Sequence, residues 1–160
     1  MNLETRLNRL NRSETLAAET VETLVQAALA MRRRAHAPYS RYHVGAALLS
    51  ATGEIFQGCN IENVSYSLTI CAERVAASSA IAADQRDWIA MAIATRGGIA
   101  PCGACRQFLA EFGDLRIITV DVDDHHRREE WLSALLPRSM DRSVLEPLAP
   151  GAPPAGGQPE

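Results

Sequence analysis

Three cysteines and one glutamate carry the sharpest chemical signal in this chain. Cys71 opens the segment Cys71-Ala72-Glu73-Arg74, and about thirty residues later Cys102 and Cys105 stand in Pro101-Cys102-Gly103-Ala104-Cys105-Arg106-Gln107. Both segments read as helix starts. Cys102 and Cys105 are three residues apart and share a face of the first turn. Thiolates at helix N-termini are stabilised by free backbone N–H groups and the positive end of the dipole. In an α/β fold, parallel units bring successive helix N-termini to one edge of the sheet. Three thiolates meeting there make a metal site, and zinc is the first choice for sulfur ligands in tetrahedral geometry. Cys59 is the only other cysteine. With Cys59 bound, the site is closed and structural; without it, the fourth position is open to water, as in a catalytic zinc site. Glu73 lies two residues past Cys71, too far round the helix to share its ligand face. It can still reach over the open side and take a proton from water. A three-thiolate zinc carries net negative charge, so positive charge is needed nearby. All sixteen basic residues are arginine, and Arg74, one turn after Cys71, is the arginine in place.

The elements that must position these residues follow from periodicity. A helix is expected from Ser13, a plausible N-cap, to Arg34, with Pro38 barring continuation. Strands are expected at His43–Ser50 and Glu54–Ile61 around a Thr52-Gly53 turn, at Trp88–Thr95, and at Leu115–Asp121. Helices are expected at Cys71–Ala83, rich in small residues, and at Cys102–Phe112, ended by Gly113. The stretch His125–Leu136 reads as an edge strand, a helix, or one followed by the other. The order α-β-β-α-β-α-β, opening with a hairpin, predicts a three-layer α/β/α sandwich on a mixed five-stranded sheet.

Length and charge set the outer bounds. With 160 residues, 47% of them hydrophobic and 22% charged, the chain is ordinary globular material for one domain. Residues 1–12 read as a flexible N-terminus, 13–148 as the zinc domain, and 149–160, rich in Pro and Gly, as a disordered tail. No apolar run is long enough to span a membrane. The N-terminus has no secretory signal, which points to the cytoplasm and reduced thiols. A net charge of -3 gives no broad footprint for nucleic acid. The Arg32-Arg33-Arg34 run reads as a solvated helix end. His36, His43, His125 and His126 read as surface or loop residues.

The chain resembles the zinc-dependent cytidine deaminases, in particular the small homotetrameric type. A non-ligand glutamate and a Pro-Cys-x-x-Cys segment around a Cys₃ or His-Cys-Cys zinc mark zinc deaminases generally. The further segments that carry the resemblance are Ala37-Pro-Tyr-Ser-Arg-Tyr-His-Val-Gly-Ala-Ala-Leu-Leu, Gly58-Cys-Asn-Ile-Glu-Asn-Val-Ser-Tyr, Leu68-Thr-Ile-Cys-Ala-Glu-Arg and Leu135-Leu-Pro. The resemblance implies one Zn²⁺ per chain on Cys71, Cys102 and Cys105, and hydrolytic deamination of free cytidine or 2′-deoxycytidine. Glu73 would deprotonate the attacking water, protonate N3 and pass a proton to departing ammonia. Asn60 and Glu62 would hydrogen-bond the ribose, Tyr42 would pack on the base, and the backbone at Ala72 and Thr69 would read the pyrimidine edge. Val64, Tyr66 and Met140 would reach a neighbouring subunit's site in a homotetramer. A carboxylate at Glu62 would repel a phosphate, which favours free nucleosides.

The chain departs from the family at Tyr42, at Ser67 and at Met140, where the family usually has phenylalanine, glycine and phenylalanine. The slimmer methionine leads to an expectation of tolerance for modified pyrimidines. Two rival readings are a blasticidin-type deaminase of the same fold, which usually lacks the Asn-x-Glu-Asn segment, and a non-catalytic zinc-stabilised binding module.

Overall fold

The computed structural model describes residues 16–140. Helix α1 (Ala18–Arg32) leads to the hairpin β1 (Gly45–Ser50) and β2 (Ile55–Cys59). A 3₁₀ turn (Tyr66–Leu68) precedes α2 (Ala72–Ala82). Then come β3 (Trp88–Thr95), α3 (Gly103–Ala110), β4 (Arg116–Asp121), β5 (Arg127–Trp131) and the short α4 (Leu132–Leu135). The five strands form one sheet in the order β2-β1-β3-β4-β5. β1 is antiparallel to both its neighbours, β3 and β4 are parallel, and β5 returns antiparallel to β4.

Because β1 opposes both β2 and β3, those two strands run the same way. The connection β2-α2-β3 is therefore a parallel crossover that steps over β1, and β3-α3-β4 is a second one beside it. Both helices start where parallel strands end, so their N-termini lie on one edge of the sheet. Alternation along the strands divides the core into two faces. Ala46, Leu48, Met91, Ile93 and Ile117 pack with Ala76, Ala77 and Ala80 of α2 and Leu109 of α3. Ala47, Leu49, Ala90, Ala92, Ile118 and Val120 pack under Leu24, Val25 and Ala28 of α1. The three layers are those expected.

Several boundaries differ from the sequence reading. The expected N-cap Ser13, the N-terminal dozen residues and the tail from 149 lie outside the described residues. α1 begins at Ala18 and not at Ser13; Ala17 at its N-cap makes no side-chain cap. β1 begins two residues after His43 and β2 ends two before Ile61. The stretch from residue 125 resolves as a polar edge strand followed directly by one helical turn, the third of its three readings. Its charges suit an edge, where one side of the ladder meets water.

Alanine-rich α2 explains how closely helix and sheet approach. A Cβ added at Gly58 of β2 would stand 2.4 Å from both the Ala72 carbonyl oxygen and the Ala76 nitrogen. Those are backbone atoms of the helix that carries Cys71 and Glu73, so they cannot yield without moving the site. Gly58→Ala is expected to lower unfolding stability by roughly 3 kcal/mol, measured by urea titration at fixed zinc. A loss below about 1 kcal/mol would contradict this packing.

Candidate metal centre and nucleoside cavity

Cys71 and Cys102 both occupy N-cap positions with extended backbone, and neither caps its helix through its side chain. A serine or aspartate there would bond the first turn's N–H groups. The sulfurs instead turn to a common point. Cys105, two residues into α3, completes the group: the three Sγ atoms all lie within 4.8 Å of one another. Cys71 Sγ and Cys102 Sγ are 3.9 Å apart. Thiolates held 2.3 Å from a tetrahedral zinc lie about 3.8 Å apart, so the donor set and its spacing fit the ion. Cys59 takes no part. Its thiol points back to α1's end and meets the Arg34 carbonyl at 3.5 Å, which removes the closed four-sulfur reading.

The three sulfurs share one electrostatic environment. The Cys105 thiol and the Arg74 guanidinium beside Cys71 pull its thiol down to about 5, the range of a ligand that binds as thiolate. The same contact with Cys71, with burial, pushes Cys105 up. Arg74 reaches its Nη2 to the Thr69 carbonyl at 3.4 Å and to Cys71 Sγ at 4.0 Å. Its buried Nε has no hydrogen-bond partner among the described residues. Glu73 is buried at the start of α2, and burial pushes its carboxyl up to about 7. A carboxyl poised near neutrality can both accept and return a proton.

Arg106, which sequence reading passed over, braces the second cysteine pair. Its Nε donates to the Pro101 carbonyl at 2.6 Å and its Nη1 to the Leu135 carbonyl at 2.7 Å. The loop before Cys102 is thereby tied to α4. On the other side, Gly97 and Gly98 both have positive φ, which lets the chain turn back within two residues after β3. That accounts for the short connection from Thr95 to Pro101. Gly97 N–H donates to Asp121 and Ile99 N–H to Thr95 Oγ1, fixing the turn.

A cavity of about 330 Å³ opens beside the sulfurs, within the size range of small-molecule sites. Its lining includes Glu73, Cys71 and Cys102, the apolar Ile93 and Val44 with Tyr42, and Asn60, Glu62, Ser40 and Tyr66. The expected Asn60 and Glu62 are thus brought to the cavity, 8% and 4% exposed. Asn60 does more than face it. Its Nδ2 donates to the Tyr42 carbonyl and its Oδ1 accepts from Val44 N–H, each at 2.8 Å. Tyr42 donates its hydroxyl to the Arg96 carbonyl at 2.9 Å, so the extra oxygen braces the turn after β3.

Glu62 accepts Tyr39 N–H at 2.9 Å, Ser40 N–H at 3.2 Å, the Ser40 hydroxyl, and the Tyr66 hydroxyl at 3.3 Å. Ser40 is the second residue that sequence reading missed. It lay in the plain view of the Pro-Tyr-Ser-Arg-Tyr segment, two places before Tyr42. Three of the expected neighbour-reaching residues separate here. Val64 is 83% exposed and Met140 58% exposed, and neither lines the cavity. Tyr66 lines the cavity of its own chain.

Residues 18–121 match the family model described as the cytidine and deoxycytidylate deaminase zinc-binding region. The chain belongs to that family. Its zinc-binding region contains the Cys71, Cys102 and Cys105 cluster, and zinc is the cofactor of this deaminase domain. A cytidine deaminase from Sporosarcina psychrophila is 49% identical over 94 residues, covering 58% of this chain and 69% of that one. A probable cytidine deaminase from Dictyostelium discoideum is 44% identical over 108 residues, covering 66% of this chain and 74% of that one. Among solved structures, the cytidine deaminase of Burkholderia pseudomallei superposes with a TM-score of 0.71 at 43% identity, covering 74% of this chain and 98% of that one. Among the described residues no helix is long and apolar enough to cross a membrane.

The Glu62 hydrogen bonds have a pH signature. The Ser40 hydroxyl, above the other donors, holds its carboxyl below the usual range. A depressed folded value stabilises the protein above the unfolded glutamate pKa of about 4.3 and is lost as pH falls through the folded value. The difference in Tm between wild type and Glu62→Gln is therefore expected to be full at neutral pH and to shrink as pH falls below the unfolded glutamate pKa of about 4.3. A gap that widens in acid would contradict the assignment.

Proposed function

We propose that this protein hydrolyses free cytidine and 2′-deoxycytidine to uridine and 2′-deoxyuridine with release of ammonia. The observation that carries the reading is one cavity lined by Cys71 and Cys102 of the three-sulfur cluster, by buried Glu73 and by the Asn60–Glu62 pair. When bound, zinc supplies the Lewis acidity that brings the ionisation of water near neutral pH.

The chain's own residues do the rest. Glu73 takes a proton from water, delivers it to ring N3, and passes a further proton to the leaving amino nitrogen. One carboxylate suits this shuttle because it is buried beside the sulfurs and shielded from solvent. Arg74 offsets the charge of the thiolates. Tyr42, pinned at its carbonyl, N–H and hydroxyl, supports the base. Arg74 and Val75 N–H are taken by the Cys71 carbonyl, so it is the Ala72 N–H at the start of α2, with no acceptor within the helix, that would meet the base's polar edge together with Thr69. Glu62 accepts from a sugar hydroxyl, and its negative charge disfavours phosphorylated substrates. Asn60, committed to main chain on both sides, shapes the sugar end and keeps one N–H for the ligand.

The exposed apolar side chains Ile61, Val64, Leu68, Ile70 and Ile99 surround the segment that frames this cavity. We read them as covered by further copies in a homotetramer. Thiolate ligands fit a reducing compartment such as the cytoplasm. The non-catalytic module is disfavoured by the position of Cys59, which leaves the fourth metal position open.

The test follows loss of cytidine absorbance and release of ammonia by zinc-loaded protein, with free cytosine and cytidine 5′-monophosphate for comparison. Wild type is expected to turn over the two nucleosides in preference to both controls. Glu73→Gln is expected to keep its zinc and lose activity by about 10²- to 10⁴-fold. An inactive wild type with one zinc per chain would refute the reading.

A further inference from the structure

Glu62 has more donors than a carboxylate awaiting a ligand needs. An ionised carboxylate offers about four lone-pair positions, and four are engaged: Tyr39 N–H and Ser40 N–H on Oε2, the Ser40 and Tyr66 hydroxyls on Oε1. A sugar hydroxyl can therefore donate to Glu62 only by replacing one of them. The four are not equal. Two are main chain. The Ser40 hydroxyl is held from behind by Tyr42 N–H at 2.9 Å. Tyr66 makes the longest contact, 3.3 Å, from a side chain on a single 3₁₀ turn.

We propose that the Tyr66 hydroxyl and a substrate sugar hydroxyl compete for one acceptor position on Glu62, so that nucleoside binding is an exchange of one hydroxyl for another. This rests on the nucleoside reading above and adds to it a specificity-determining residue. The exchange has a defined consequence. A nucleoside that lacks the sugar hydroxyl leaves Tyr66 in place, and Glu62 stays satisfied. Tyr66 thereby reduces the advantage that cytidine holds over such an analogue. Without the phenol oxygen, a buried acceptor is left open, and only a hydroxyl-bearing substrate fills it.

The experiment compares cytidine with 2′,3′-dideoxycytidine in the zinc-loaded full chain, as substrates or, for a poor substrate, as competitive inhibitors. Tyr66→Phe keeps the ring and removes the competitor. The preference for cytidine is expected to rise roughly threefold to tenfold over wild type, through KM for cytidine and not through kcat. Tyr66→Leu must move the preference the same way. Because the readout is a ratio on one preparation, partial misfolding scales both measurements and leaves the ratio unchanged. A preference that stays the same or falls overturns the proposal, since Tyr66 then donates to substrate or serves a neighbouring subunit. An equal drop in KM for both compounds overturns it as simple steric relief. If wild type turns over no nucleoside, the functional reading fails and this proposal with it; wild-type turnover with an unmoved ratio sinks the exchange alone.

Discussion

Everything in this site depends on two helix N-termini meeting at one point. Cys71 belongs to α2, and Cys102 and Cys105 to α3, so the donor set exists only if both helices begin at the same edge of the sheet. The topology enforces this. β2 and β3 run parallel with β1 reversed between them, and each feeds a crossover helix on the same face. Small residues then let the layers close up. Alanines along α2 and Gly58 beneath its first turn bring the helix backbone almost onto the strand. A larger side chain at either surface would lift Cys71 away from its partners.

The second end of the cavity is built differently. No helix dipole or metal organises it; a closed set of hydrogen bonds does. Asn60 grips the main chain before β1 on two sides, while Ser40 and the N–H groups of residues 39 and 40 grip Glu62. Tyr42 is common to both groups and is held again at the turn after β3. Tyr42 and Glu62 are thus joined through one hydrogen-bond network by way of Ser40. The electrostatics of the two ends are opposed. At the sulfur end charge is concentrated and then offset by Arg74 and the helix termini. At the sugar end a single carboxylate is satisfied by neutral donors.

Much of this was legible in the sequence because short-range rules govern it. The spacing of Cys102 and Cys105, Glu73 two places after Cys71, and the alternation of strands and helices are local facts. They were enough for the metal site, the layers and the strand count. What was not legible depends on contacts between distant segments. Nothing local marks Ser40 as a partner of Glu62, or Arg106 as the bridge between Pro101 and Leu135. The contact of the Tyr66 phenol with Glu62, four residues back, was likewise not read from the sequence. α1 was read as starting too early, because Leu16 carries the same apolar period as the helix without being part of it. Met140, expected to reach a neighbouring copy, accepts from Gln107 through its carbonyl.

The central claim is a three-sulfur metal centre with one position left for water. X-ray absorption at the zinc edge of the loaded protein measures this directly. The account predicts three sulfur neighbours at about 2.3 Å and one oxygen at about 2.0 Å. Four sulfurs, with Cys59 as the fourth, would contradict it.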